Sequence, residues 1–264
     1  MATYTPTPLP KITKSQHEIL YLLFKFRFLN THQIQKFLHL KKPQYAQELL
    51  KDLKDKGYIK TNYNPKSYIE NTQPAVYFLG SKARKVLKEN KNCTEQALNK
   101  IYKEQKQKDP FINHCMRIAD VYFFFAENIK PDETLSFFTE SELSKYGYFP
   151  DESPSAYIAV KNKEKTKRYF LEIFRETATS GNIRFRFREY VAYADSGLWE
   201  EHAQGQKFPS LFFILPTENK KKHVAHYAKA KFTDAYEQQF PFYITSLNKV
   251  LFGKDKNIWE KVVV

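Results

Sequence analysis

Two periodicities alternate along this chain of 264 residues, one helical and one extended. From Ser15 to Phe26 the apolar positions Ile19, Leu22, Leu23 and Phe26 recur three and four apart, which predicts an amphipathic helix. After Thr31, whose hydroxyl suits an N-cap, Ile34, Phe37 and Leu38 form one face of a second, short helix. Leu40-Lys41-Lys42-Pro43 interrupts the pattern, because the residue before a proline avoids helical angles while proline itself suits a first helical position. A third helix then turns Ala46, Leu49, Leu50 and Leu53 inward and leaves Lys42, Gln44, Tyr45, Gln47, Lys51, Lys54 and Lys56 outside, until Gly57 stops it. Tyr58-Ile59-Lys60 and Ala75–Leu79 predict a hairpin whose tip, Asn62 to Pro74, is rich in Asn, Pro, Ser and Thr and contains Lys66. A further helix is expected from Lys82 to about Asn90.

Residues 91–109 are polar and lysine-rich with a few apolar anchors, and read as a boundary, part helix and part linker. Phe111 to Ile129 is apolar nearly all round, the mark of a buried helix. Strands are expected at Leu135–Thr139, Tyr157–Val160, Arg168–Phe174, Leu211–Leu215, Phe242–Thr245 and Ile258–Val263, with helices at Asn182–Trp199 and His223–Gln239. The fold class is therefore α+β: a helix, turn, helix and hairpin in the order of a winged helix-turn-helix at 12–90, a linker at 91–109, and a small α/β domain at 110–264.

Charge sharpens that division. Residues 1–90 carry 16 Lys and Arg against 6 Asp and Glu, a net of +10 of the chain's +14. Positive charge gathered on a helix-turn-helix predicts a double-stranded DNA partner, since phosphate neutralisation supplies most sequence-independent affinity. Gln44, Tyr45, Gln47 and Lys51 are the candidate groove contacts, Lys42 and Lys54 the candidate backbone contacts, and Lys60 and Lys66 further candidate DNA contacts. The same pattern would also suit a helical core with a solvated lysine face. Cys93 and Cys115 are the only cysteines, too few for a zinc site or a disulfide framework. No signal peptide opens the chain and no apolar run approaches the roughly 18 residues of a membrane span. A cytoplasmic protein with no membrane partner is expected.

Candidate chemistry sits at Phe149-Pro150-Asp151 and Leu171-Glu172-Ile173-Phe174. A Pro-Asp before a hairpin, then an acid on an apolar strand, resembles the PD-(D/E)xK nuclease fold, in which two carboxylates hold Mg²⁺. Asp151 and Glu172 would be the catalytic pair if the chain were a nuclease or nickase, the one case that calls for a cofactor. The lysine position is Phe174, however, which argues for a domain that does not cleave. In the next segment, IRFRFREYVAYADSGLW, a strand would align Arg184, Arg186 and Arg188, whereas a helix would pair Arg184 with Arg188 and send Arg186 elsewhere. Arg184 and Arg188 are further candidate DNA contacts. Pairing of these arginines with Glu172, Glu176 or Glu189 is the competing expectation, and Arg175 or Arg188 the expected partner of Glu172.

Over residues about 12 to 250 the chain resembles the plasmid replication-relaxation family, which includes mobilisation accessory proteins of relaxosomes. The resemblance rests on the winged-helix order, on His114 with Ala119-Asp120-Val121, on Pro150-Asp151 and Leu171-Glu172, on the Arg-rich segment with Tyr190 and Tyr193, and on Phe208-Pro209. The family often has an acid two residues after the glutamate, where this chain has Phe174. The resemblance implies a DNA-binding protein of a plasmid or other mobile element, acting in replication control, mobilisation or transcription. It also implies a degenerate nuclease-like second domain and a relaxase or replication initiator as protein partner. Two-fold symmetric reading of paired half-sites would make it a homodimer.

Overall fold

Two units, Met1–Lys108 and Asp109–Val264, each close a hydrophobic core of their own in the computed structural model. The structure describes residues 9–62, 74–231, 240–253, 255 and 257–262.

In the first unit, helix α1 (Lys14–Phe26) opens on a capping box between Thr13 and Gln16. Strand β1 (Leu29–Asn30) leads into α2 (Thr31–Phe37). The cap of α2 is Asn30 rather than the expected Thr31: its side chain accepts from the Gln33 N–H, and the Gln33 side chain accepts from the Asn30 N–H in return. Helix α3 (Pro43–Asp55) begins at Pro43 and ends on Gly57, whose φ of +77° is free for glycine and strained for other residues. The Gly57 N–H donates to Lys54 O at 2.9 Å and the Tyr58 N–H to Leu53 O at 2.9 Å, the paired bonds of a Schellman stop. Strands β2 (Ile59–Asn62) and β3 (Val76–Leu79) pair antiparallel, and β1 pairs with the other edge of β3. Residues 63–73, expected to form the tip of this hairpin with Lys66, lie outside the described residues. Ile19, Leu23, Phe24, Ile34, Ala46, Leu50, Leu53, Tyr58 and Leu79 fill the core.

Helices α4 (Ala83–Leu87) and α5 (Glu95–Glu104) complete the unit. Much of the stretch expected to be boundary and linker is thus helical, with Ala97, Leu98 and Ile101 buried. The Tyr102 hydroxyl donates to Gly80 O at 2.6 Å and accepts the Arg84 N–H at 3.2 Å, while Gln105 donates to Leu79 O at 2.8 Å. The division between units falls at Lys108.

A strained turn joins α1 to β1. Arg27 has φ +68° and ψ −51°, and the Phe28 N–H closes on Phe26 O at 2.8 Å, a γ-turn of the rare positive-φ kind. The Arg27 side chain is nevertheless buried, with its Nε 3.1 Å from Glu104 Oε2. Any non-glycine residue carries the backbone strain, so Arg27→Gly should be more stable than Arg27→Ala by about 1 kcal/mol. Urea midpoints of the two variants measure this; an equal or lower midpoint for the glycine variant would show that the turn is unstrained.

The second unit has a six-stranded sheet in the order β4-β5-β6-β7-β8-β9: Thr134–Thr139, Ala156–Lys161, Thr166–Ile173, Ser210–Leu215, Phe242–Ser246 and Glu260–Val262. The first three strands are antiparallel neighbours, β6 to β8 run parallel, and β9 returns antiparallel. Helix α6 (Asp109–Asn128) covers one face, with Tyr122 against Phe137 and Phe125 against Phe212. A short α7 (Glu140–Leu143) follows β4. On the other face lie the two crossover helices, α8 (Ser180–Asp195) after β6 and α10 (Glu218–Lys231) after β7. Helix α8 stops at Asp195, short of the expected Trp199, because Gly197 turns left-handed at φ +70° and starts the short α9 (Leu198–His202). Phe170, Phe187, Tyr190, Leu211, Phe213, Leu215, Phe242 and Ile244 fill the layer between α8, α10 and the sheet. A last helix, α11 (Leu247–Phe252), follows β8.

Candidate nucleic-acid interface and the buried Glu172 cluster

Helix α3 buries Ala46, Leu50 and Leu53, and the 100° step per residue therefore turns the opposite stripe to solvent. Lys42, Gln44, Tyr45, Gln47, Lys51 and Lys54 are all exposed, Tyr45 at 51% despite its large ring, and Lys60 is exposed on β2. Glu48 and Asp55, neither among the expected contacts, share that stripe at the 44, 48, 51, 55 spacing. Within Pro43–Asp55 two lysines stand against three acids, so the helix itself carries none of the unit's net positive charge. Asp52 is held apart from the surface set: it accepts from Gln16 Nε2 at 2.5 Å and from Lys56 Nζ at 2.6 Å. Those bonds, that of Lys56 first, lower its carboxyl below the ordinary range. Lys56 is further tied to Lys11 O at 2.9 Å, so this expected outward lysine is engaged within its own unit.

The surrounding charge is strongly divided. The first unit holds 21 Lys and Arg against 8 Asp and Glu, a net of +13, and the second 22 against 21, a net of +1.

In the second unit, alternation along β6 places Phe170, Glu172 and Phe174 toward α8, and Glu172 is buried. One oxygen, Oε1, accepts from Arg186 Nε at 2.8 Å, from Arg186 Nη2 at 2.6 Å and from the Tyr190 hydroxyl at 2.6 Å. The other accepts from Ser155 Oγ at 3.3 Å, and that hydroxyl in turn accepts the Ile173 N–H at 3.1 Å. Arg186 also donates to Glu152 O at 2.6 Å and to Glu189 Oε2 at 3.2 Å, and lies 4.6 Å from the Tyr190 ring centre. The i, i+3, i+4 spacing of Arg186, Glu189 and Tyr190 makes this possible. Burial pushes the Glu172 carboxyl up, and the Arg186 charge and Tyr190 bond pull against it. Burial works to lower Arg186, but Glu172, Tyr190 and Glu152 together raise it. The Tyr190 hydroxyl is driven far up by burial and the Glu172 charge.

Neither expected partner of Glu172 takes that role. Arg175 sits on the other side of the sheet, 5.3 Å over the Phe111 ring, and Arg188 is exposed. Asp151 is exposed in a bend before β5. The Phe174 ring packs edge-on to Phe213 at 5.1 Å. These residues do not fit a divalent cation. A Mg²⁺ on Glu172 Oε1 would meet the Arg186 guanidinium already bonded there, and the described residues contain no group of three or more His, Cys, Asp or Glu suited to a metal. Arg184 and Arg188 lie one helical turn apart on the exposed face of α8, as the helical alternative requires, with Arg186 turned inward.

No curated protein matches the chain. Among solved structures, mutants of ZitR from Lactococcus lactis align at 24% identity over 46% of this chain and 77% of that chain with a TM-score of 0.26, and at 22% identity over 48% and 82% with 0.27. The restriction endonuclease FokI aligns at 10% identity over 90% of this chain and 43% of that one, with a TM-score of 0.32. Scores this low establish no shared fold. No helix among the described residues is long and apolar enough to cross a membrane. The replication-relaxation family model matches residues 20–208, which runs from the middle of α1 through the outward stripe of α3, Glu172 and all of α8. The chain belongs to the replication-relaxation family.

Proposed function

We propose that the chain binds double-stranded DNA through its first unit, a winged helix-turn-helix with α3 as the recognition helix, in replication control, mobilisation or transcription of a plasmid or other mobile element. The observation that carries this reading is the charge division: +13 of the net +14 lies in the unit whose α3 stripe is polar and exposed. Gln44 and Gln47 can bond adenine edges, Lys51 a guanine edge or a phosphate, and Tyr45 a sugar or a thymine methyl. Glu48 and Asp55 repel phosphate but accept from cytosine N4, so they favour a groove floor over a bare backbone. Lys42, Lys54, Lys60 and Lys66 are the phosphate contacts. The second unit is an assembly or auxiliary contact platform with a structural Glu172, and the functional species is a homodimer that works with a relaxase or replication initiator.

The test is selection by the full chain from a pool of random duplexes, followed by binding at several salt concentrations. A preferred sequence should emerge. Lys42→Ala and Lys54→Ala should each flatten the slope of log K against log salt by about one and weaken all sequences alike. Gln47→Ala should cost about 1–3 kcal/mol on the selected site and little elsewhere. No duplex binding even at low salt, or full affinity in Lys51→Glu, would end the proposal.

A further inference from the structure

We infer that the outward face of α8, together with the neighbouring edge of α10, is a contact surface for single-stranded nucleic acid. It deepens the nucleic-acid reading above but uses a surface on the other unit. Phe185 is 53% exposed on this face, an unusual position for a phenyl ring in a unit with so much aromatic core. Arg188 lies 5.9 Å from that ring centre. Arg184 lies 5.4 Å from the ring of the half-buried Tyr227 on α10, and its Nε donates to Ser180 O at 3.2 Å.

Three acids of this unit are engaged elsewhere, while Asp195 lies two turns along α8 from Arg188. Glu189 pairs with Arg186, Glu176 with Arg117, and Glu218 with Lys221. Among the described residues no carboxylate forms an ion pair with Arg184 or Arg188. A local cationic excess therefore sits in a unit whose net charge is only +1.

An open phenyl ring beside two unneutralised guanidinium groups matches what an unpaired strand offers, bases with free faces and phosphates one step away. Duplex DNA is a poorer match. Its bases are already stacked and offer Phe185 no free face, and α8 is packed against α10, with Phe187 6.5 Å from Tyr227, rather than standing clear to enter a major groove.

Anisotropy of a labelled oligo-dT of roughly 20 nucleotides, titrated with the full chain, tests this. The wild type should bind it with a salt dependence. Phe185→Ala should weaken binding roughly ten- to a hundredfold by loss of stacking. Arg184→Ala with Arg188→Ala should lower the salt slope by about 1.4, at roughly 0.7 per single-strand phosphate. Affinity for the duplex selected through α3 should stay unchanged in all these variants, and wild-type melting transitions should show that the second unit, which carries them, is folded. Wild-type protein that binds the duplex but not the oligonucleotide would overturn the inference and leave the proposed function standing. Equal oligonucleotide binding by wild type and variants would overturn it as well. Parallel loss of duplex and oligonucleotide binding in the variants would make this a duplex contact and also defeat it. Failure of the wild type on both ligands would remove both readings.

Discussion

Arg186→Ala is expected to cost about 3–5 kcal/mol of folding free energy, a large part of a domain total typically near 5–15 kcal/mol. The substitution leaves the Glu172 carboxylate buried, with Ser155 and Tyr190 as its remaining donors and no positive charge nearby. Burial already raises the Glu172 carboxyl, and without the guanidinium nothing positive opposes it. A carboxyl whose folded pKa lies above its unfolded value stabilises the fold at low pH, and that contribution disappears as pH rises through the folded pKa. The defect of Arg186→Ala should therefore be milder at pH 5 than at pH 8. Replacing the cluster as a set, with Glu172→Leu, Arg186→Met and Tyr190→Phe together, should regain most of the loss, because no charge or hydroxyl then remains unmatched in the core. Urea midpoints at the two pH values give the answer. A triple variant that loses the sum of the three single losses would show that the cluster contributes net attraction rather than avoiding a buried charge.

The parts of this fold that could be read in advance are those with local punctuation. Helix α3 is bracketed by Pro43 and by Gly57, and both act as their backbone geometry demands. The cap of α2 slipped by one residue because Asn30 and Thr31 are both good caps; the deciding signal was Gln33, three residues after Asn30 and able to close a capping box with it. Helix α5 was hidden by its lysines, although Thr94 as a cap and Ala97, Leu98 and Ile101 as a stripe mark it. Ion pairing was the least legible feature. Three arginines within five residues could all have met Glu172, and the choice depends on which lies on the buried stripe of Ile183, Phe187, Tyr190 and Ala194. That stripe was present in the sequence, and it selects Arg186. Glu48 and Asp55 are harder to place for a different reason: the outward stripe of α3 carries both signs, so its lysines alone do not describe it.

Supercoiled plasmid incubated with the full chain and Mg²⁺ or Mn²⁺ is expected to stay uncut. In-line attack on a phosphodiester builds charge on the phosphoryl oxygens and the leaving group, and a metal nuclease answers it with a carboxylate-held ion and a nearby cation. Glu172 spends its oxygens on Arg186, Tyr190 and Ser155, and Asp151 stands exposed in a bend. Phe174 fills the position of the catalytic lysine, and its ring is committed to Phe213. Loss of one preorganised charge-stabilising group typically costs about 3–4 kcal/mol, or two to three orders of magnitude in rate. A metal repelled by Arg186 would lower the rate further. Asp151→Asn is the informative control, since an exposed side chain can be changed without disturbing the core. Glu172→Gln keeps the shape of the buried cluster and is compared only after its melting transition shows that it is folded. Nicking by the wild type that both variants abolish would mean that Arg186 releases Glu172 on DNA, and the second unit would then be an enzyme. Retarded but uncut plasmid would leave Glu172 as the buried anchor of α8.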